Sequence, residues 1–184
     1  MEIDIIKIKD PYIYSVKYEG KEQDEFHRLF DEWNDIDYVL GFMERNSQYL
    51  KADVWKKVHE PESAASQVFE EAEELEILFD KLYNNTKAGD ENDFDSYFKC
   101  LDGQYKFEIQ YVPMKAYGTE RPSFLRLYAI KIDKNTYLIT GGGIKLSDSI
   151  QNSPGIKDHV LQEIEIVRRW LRSNDIDVDD LMKT

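Results

Sequence analysis

The amino-acid sequence predicts an α+β fold in which an antiparallel sheet packs against several helices. Alternating apolar residues over residues 3–8 and 12–18 indicate two strands at the start of the chain. Helical spacing dominates residues 26–98, and strand patterns return after residue 104 before a last helix. This order, in which a group of strands is followed by a group of helices and then by strands again, is the one expected of an α+β protein.

Four helical segments are predicted between the two groups of strands. Apolar residues recur every three or four positions over 26–33 and 38–50. A longer helix begins at Pro61, because proline is favoured in the first turn of a helix. A short helix at 94–98 follows a polar loop. The long helix has an acidic face that we interpret as solvated: Glu70, Glu71, Glu73, Glu74, Glu76 and Asp80.

A three-strand meander is predicted in the C-terminal part of the chain. Residues 105–111 alternate between apolar and polar side chains, which indicates a strand. Residues 113–122, bounded by two prolines, are expected to form a connecting loop. Two further strands are expected at 124–132 and 136–146, joined by a turn.

The last helix is expected to begin with Ser153 as its N-cap, or nearer Lys157. It runs to about Ser173, and the acidic tail beyond that residue is expected to fray. No convincing linker divides the chain, so residues 1–184 are expected to form a single domain.

Composition limits the kind of protein that the chain encodes. Hydrophobic residues make up 41% of it, with 12 Tyr, 9 Phe and 3 Trp, which is enough to build a core. The single cysteine, Cys100, excludes an internal disulfide and is expected to be a buried thiol. The sequence shows neither a signal-peptide pattern nor an apolar run near the ~20 residues that span a bilayer. A cytoplasmic protein that does not enter the membrane is expected.

Charge is unevenly distributed along the chain. The net charge of −13 argues against generic nucleic-acid binding, including binding to free duplex DNA, because phosphate affinity comes from clustered Lys and Arg. Residues 123–172 contain eight basic and five acidic residues, so this segment carries +3 and the remainder carries −16. The C-terminal strands and helix are therefore the region whose charge best suits an anionic ligand.

The same segment contains the candidate site residues Arg126, Tyr128 and Lys145. Side chains alternate between the two faces of a strand, so Arg126 and Tyr128 share one face. Lys145 is expected to stand beside Arg126 on that face. A hairpin that pairs Ile132 with Tyr137 gives these cross-strand neighbours: Tyr128 with Gly141, and Arg126 with Gly143.

Two cations and a phenol beside a run of glycines, whose backbone is not covered by side chains, suit a phosphate group. Arg126 would hold it in a bidentate fork, and Lys145 would supply a point charge or a proton. Tyr128 would stack on a base or donate a proton. Alternatively, the cations pair with acids from the helices, and residues 141–143 mark a bulge or a close helix–sheet approach. The glycine run lacks the Gly-Lys-Ser/Thr spacing of a P-loop.

No metal site or cofactor is expected. The three histidines, His27, His59 and His159, are isolated and lack metal-ligand spacing. Cys100 has no evident histidine partner in the sequence, so a cysteine nucleophile is not indicated.

The closing strand–strand–helix segment resembles the RelE/HigB superfamily of bacterial toxins, which end in a similar cassette. The strand and helix that begin at Tyr12 are similar to the opening of that fold. The C-terminal resemblance is carried by Arg126-Leu-Tyr, by Tyr137-Leu-Ile-Thr-Gly-Gly-Gly-Ile-Lys145, by Pro154, and by a helix with Ile164 and Arg168.

The resemblance implies a RelE-like core with a helical insertion at about 61–103. It also implies a metal-independent endoribonuclease that acts on ribosome-bound mRNA and is neutralised by an antitoxin. Arg126 would then steady the scissile phosphate, and Lys145 would stabilise charge or assist proton transfer. Tyr128 would be a stacking or acid–base partner.

Two further hypotheses follow from the acidic composition. The first is a catalytically inactive protein-interaction module of the same fold. The second is that the acidic helix after Pro61 covers the basic C-terminal segment as an internal mask.

Overall fold

A six-stranded mixed sheet forms the centre of the computed structural model, which describes residues 1–105 and 107–184. The strands are β1 (Ile3–Lys9), β2 (Ile13–Tyr18), β3 (Lys99–Cys100), β4 (Val112–Tyr117), β5 (Leu125–Asp133) and β6 (Thr136–Ile144). Their order across the sheet is β1-β2-β6-β5-β4-β3. Neighbouring strands are antiparallel except β2 and β6, which run parallel. The predicted α+β class is confirmed.

Helices cover both faces of this sheet. The described residues contain α1 (Glu25–Trp33), α2 (Ile36–Arg45), α3 (Ser47–Leu50), α4 (Pro61–Ala88), α5 (Phe94–Tyr97), α6 (Val160–Asn174) and α7 (Val178–Lys183). The first face packs against α1, α2 and α4, and the second against α6 and α7. Alternation along β5 shows the division. Leu125 and Leu127 belong to the core on the first face, and Tyr128 and Ile130 belong to two apolar clusters on the second face.

Local chemistry sets several helix boundaries. The Asp24 carboxylate accepts the backbone N–H of Phe26 at 3.0 Å and caps α1, and Asp35 caps α2 in the same way. Pro61 begins α4, as predicted. This helix ends at Gly89, whose φ of 73° is the left-handed conformation that glycine adopts most readily.

The longest helix, α4, has 28 residues and is built into the first core. Val68, Ala72, Leu75 and Phe79 are all buried along its inner face. These positions follow the three-and-four spacing that predicted the helix. Within the described ranges, no helix combines the length and the apolar character needed to cross a bilayer.

The first strand of the meander lies later than predicted, so the predicted strand over 105–111 and loop over 113–122 are wrong. Residues 103–105 form a 3₁₀ turn, Lys106 lies outside the described residues, and the strand is β4. Pro113 is tolerated in β4 because only the two-residue β3 lies beyond it at this edge of the sheet.

The last helix begins at Val160, later than either predicted start. Ser153 is buried, and its hydroxyl accepts the backbone N–H of Ser147 at 3.0 Å, so it stabilises the preceding loop instead. The tail beyond residue 173 is also better ordered than expected. It forms α7, which Asp177 caps and which buries Leu181 in the second core.

Cys100 is exposed, so the expected buried thiol is wrong. It lies on β3, the short edge strand, where one side has no neighbouring strand. The Cys100 thiol lies 3.4 Å from the backbone oxygen of Asp102. Cysteine's usual preference for burial is overridden here by its position at the sheet edge.

Candidate anion-binding site

Two irregularities set the register of the β5–β6 hairpin. The predicted pairing of Ile132 with Tyr137 is wrong, because the ladder shifts at Ile132 and Tyr137 pairs with Lys131. A second shift at Thr140 restores the original register. The two shifts cancel, so the far end of the hairpin has the predicted cross-strand neighbours: Tyr128 with Gly141, and Arg126 with Gly143.

The structure brings the three predicted site residues together around one cavity of about 380 Å³. Arg126 and Tyr128 extend from β5, and Lys145 lies just after the end of β6. Two residues of β4 join them, because Lys115 pairs with Tyr128 and Tyr117 pairs with Arg126. The remaining walls are formed by Leu101, Asp102, Gln104, Asp148, Ile150, Gln151 and Leu161.

Arg126 is held in a defined orientation. Its Nη1 donates hydrogen bonds to the backbone oxygens of Ser123 at 3.0 Å and Leu125 at 2.8 Å. Its Cζ lies 4.1 Å from the centroid of the Tyr117 ring, a cation–π contact. Burial lowers the pKa of the guanidinium, but arginine remains protonated in proteins. The side chain therefore presents a fixed positive charge to the cavity.

Three cations line the cavity together with two carboxylates, Asp102 and Asp148. Within the described residues, Lys115, Arg126 and Lys145 form no ion pair with Asp or Glu within 4.0 Å. Lys145 Nζ donates instead to the backbone oxygen of Asp148 at 2.7 Å. Burial lowers the pKa of the Lys145 ammonium, the charges of Arg126 and Lys115 lower it further, and the charge of Asp148 opposes them in part. The alternative in which acids from the helices pair with these cations is not what the structure shows.

Tyr128 lies at the bottom of the cavity, and only 1% of the residue is exposed. Its ring packs with Ile156, Val160 and Ile164, so it presents no open face on which a base could stack. Burial raises the pKa of the hydroxyl, which keeps it protonated at neutral pH. Of the roles predicted for Tyr128, hydrogen-bond or proton donation is the one that fits this position.

The glycine run combines both structural alternatives, a bulge and a close approach. The ladder shift at Thr140 comes immediately before it. A Cβ atom on Gly143 would lie 2.6 Å from Cγ2 of Ile156 and 3.1 Å from the backbone oxygen of Gly155. Because the glycines carry no side chains, the segment before α6 packs directly on β6. Asp148, Ile150 and Gln151 of this segment form one side of the cavity.

Sequence reasoning missed Lys115 and Tyr117, because two prolines made their segment look like a loop. A usable signal was present: Met114 and Ala116 are buried and alternate with Lys115 and Tyr117, which are half-buried on the other face. Period-two alternation was therefore a better guide to this segment than its prolines.

The masking hypothesis is wrong. The long helix α4 packs against the face of the sheet that carries Leu125 and Leu127, opposite to the face that carries Arg126. Its acids at Glu70, Glu73 and Glu76 are exposed to solvent. Glu71 is the exception among the acids of this helix face, since it is fully buried and contacts the start of β5.

A second group of titratable side chains lies near Gly141, the first residue of the glycine run. Oxygens of Glu25 and Glu163 lie 3.6 Å and 2.9 Å from the point where a Cβ on Gly141 would stand. Glu25 forms an ion pair with Arg28 at 2.6 Å, whereas Oε2 of Glu163 is buried without a hydrogen-bond partner among the described residues. Burial, and then the charge of Glu25, raises the pKa of Glu163 to about 7.

No group of three or more His, Cys, Asp or Glu side chains within residues 1–105 and 107–184 is arranged to hold a metal ion. The chain matches no protein-family profile, no curated protein and no solved structure. The candidate functional site is therefore the cation cavity, lined by three basic side chains (Lys115, Arg126 and Lys145), the protonated Tyr128 and two aspartates.

Proposed function

We propose that the protein binds RNA at the cation cavity and cleaves it as a metal-independent endoribonuclease of the RelE/HigB type. The observation that carries the proposal is the group of three cations, Lys115, Arg126 and Lys145, that outnumber the two aspartates of the same cavity and form no ion pair within 4.0 Å in the described chain. Like charges held close together are unfavourable unless an anion neutralises them. A phosphodiester is the anion that this arrangement suits.

Each side chain has a role in this proposal. Arg126 and Lys115 hold the scissile phosphate and stabilise the charge that develops on it. Burial lowers the pKa of Lys145, and when it is neutral its amine takes the proton of the ribose 2′-hydroxyl as that oxygen bonds to phosphorus. The bond to the 5′-oxygen breaks, and that oxygen takes a proton from the Tyr128 hydroxyl. The ribosome-bound mRNA substrate and the antitoxin partner are drawn from the resemblance.

The test is cleavage of single-stranded RNA by purified protein in buffer that contains EDTA, together with growth and mRNA integrity after induced expression. We expect Arg126→Ala and Lys145→Ala each to reduce cleavage at least 100-fold, and Lys115→Ala about tenfold, because Arg126 still holds the phosphate in that variant. Lys134→Ala, in the exposed β5–β6 turn, is the matched control and is expected to behave as wild type. Intact RNA and normal growth with the wild-type protein would contradict the proposal.

A catalytically inactive protein-interaction module is the second candidate. The exposed acids of α4, including Glu70, Glu73 and Glu76, favour it because they repel the RNA backbone. This candidate predicts that Arg126→Ala changes capture of a protein partner while RNA stays intact under all conditions. The same cleavage assay therefore separates the two functions.

A further inference from the structure

A buried carboxylate lies directly behind the strand that carries Arg126. Glu71 of α4 is fully buried, and its Oε2 accepts the backbone N–H of Phe124 at 2.9 Å. The side-chain amide of Gln67 donates to the same oxygen at 3.3 Å. Oε1 of Glu71 is buried without a hydrogen-bond partner among the described residues, and burial raises the pKa of the carboxyl. The bonds to Oε2 are therefore the contacts that join Glu71 to the chain at Phe124.

The residue that Glu71 fixes lies between the two carbonyls that hold Arg126. Nη1 of Arg126 donates to the oxygens of Ser123 and Leu125, the neighbours of Phe124 on each side. A shift of the backbone at Phe124 would move both acceptors together. The contacts therefore run continuously from the Glu71 carboxylate through Phe124 to the guanidinium in the cavity.

The backbone at Gly118 confines the carboxylate, and Phe124 is held by its own packing. A Cβ atom on Gly118 would lie 2.2 Å from Oε1 of Glu71 and 2.7 Å from Oγ of Ser123, so glycine is required for the loop to close over it. Phe124 is itself packed, since its ring stacks on Trp55 with 4.0 Å between centroids. Glu71 therefore sits in a site built around it, with little freedom to move.

We propose that Glu71 is a positioning residue for the cation cavity: it sets the orientation of Arg126 toward a bound phosphate through the backbone at Phe124. The inference rests on the proposed function where its test measures RNA binding. It assigns a specific task to α4, which lies on the opposite face of the sheet from the cavity.

The first test measures the affinity for a short single-stranded RNA at fixed salt. We expect Glu71→Ala to weaken binding about tenfold, and Glu71→Gln, whose amide oxygen still accepts the Phe124 N–H, to weaken it no more than about threefold. Glu73→Ala, at an exposed position on the same helix, is the matched control. Gly118→Ala displaces the carboxylate from the other side and is expected to act like Glu71→Ala.

Double-mutant cycles separate positioning from general loss of stability. In an Arg126→Ala background, Glu71→Ala is expected to have no further effect on affinity, whereas in a Lys145→Ala background it keeps its tenfold effect. A folded Glu71→Ala protein that binds RNA like wild type would overturn the inference. An equal loss of affinity in both backgrounds would do so as well.

A second measurement does not depend on RNA. The Nε–Hε resonance of Arg126 in ¹⁵N-labelled protein reports the environment of the guanidinium, and Glu71→Ala is expected to shift it while Glu73→Ala leaves it unchanged. An unshifted resonance in folded Glu71→Ala protein would overturn the inference. Wild-type protein that neither binds nor cleaves RNA would instead remove the proposed function and leave this structural coupling measurable.

Discussion

Glu163 shows how one atom without a partner can shape the pH dependence of stability. Its Oε2 is buried without a hydrogen bond in the described structure, and the groups facing it are Glu25, Arg28 and Tyr18 with Lys21 further out. The pKa of about 7 means that the folded protein takes up a proton that the unfolded chain releases near its ordinary value of 4.5. Ionised Glu163 therefore opposes folding.

We expect Glu163→Gln to stabilise the protein at pH 8 and to leave it unchanged near pH 4. The contribution of Glu163 to the free energy of unfolding is most favourable below pH 4.5, the pKa of the unfolded chain. It is lost as the pH rises from about 4.5 to about 7, which lowers the free energy of unfolding by on the order of 3 kcal/mol. Urea unfolding at pH 4, 6 and 8 measures it. Glu73→Gln, which replaces an exposed acid, is the control and should leave the pH profile as it is. Equal stability of Glu163→Gln and wild type at pH 8 would show that the ionised Glu163 carboxylate does not destabilise the folded protein.

At the scale of elements, patterns of period two and of three to four residues predicted most of the fold. β1, β2, α1, α4 and the β5–β6 hairpin lie close to where alternation and apolar spacing placed them. β4 was missed because Pro113 is acceptable only near a sheet edge, and no local pattern tells which strand will be at the edge. The start of α6 was placed too early because Ser153 looks like a cap but its hydroxyl bonds within its own loop.

The candidate site was predictable to a similar extent. The alternation of side chains along β5 predicted that Arg126 and Tyr128 share one face, and the hairpin predicted that Lys145 lies beside them. Lys115 could be added only once β4 was known to pair with β5. The burial of Tyr128 depends on α6 packing over it, which is a tertiary effect that the strand sequence does not contain.

The contact between β6 and the segment before α6 gives a prediction at this scale. Gly143→Ala is expected to destabilise the protein by about 1–3 kcal/mol, because the new methyl group would collide with Ile156 and the Gly155 backbone in a packed region. Gly103→Ala is the matched control, since a Cβ there meets no atom within 4 Å. Urea denaturation of both variants measures the difference. Equal stability of the two would mean that the segment shifts freely.

For the whole molecule, the cation cavity and the exposed acids of α4 lie on opposite faces of the sheet. The cation cavity opens beside β4, β5 and Lys145, whereas α4 exposes acids on the opposite face. If the protein binds RNA as proposed, the net charge of −13 would slow the approach of RNA, and the cations of the cavity would attract it. Binding is therefore expected to be selective for substrates that are delivered close to the cavity.

Neutralising the acidic face tests this division. The triple variant Glu70→Gln/Glu73→Gln/Glu76→Gln is expected to raise the association rate for single-stranded RNA several-fold at 50 mM salt, and to have little effect at 0.5 M salt because screening removes long-range repulsion. Stopped-flow fluorescence measures the rate. Combined with Arg126→Ala, the triple variant should not regain affinity. Recovery of binding in that combination would place the RNA elsewhere on the surface.

The parallel pairing of β2 with β6 has a consequence for the order in which the protein is built during translation. Ile13–Ser15 of β2 pairs with Tyr137–Ile139, so the N-terminal hairpin keeps an open edge until more than a hundred further residues have left the ribosome. Contacts this distant in sequence slow folding. Pulse-labelled hydrogen exchange is expected to show β2 and β6 amides gaining protection together. The cation cavity, whose residues belong to the same late hairpin and its neighbour β4, would then become functional only when synthesis of the sheet is complete.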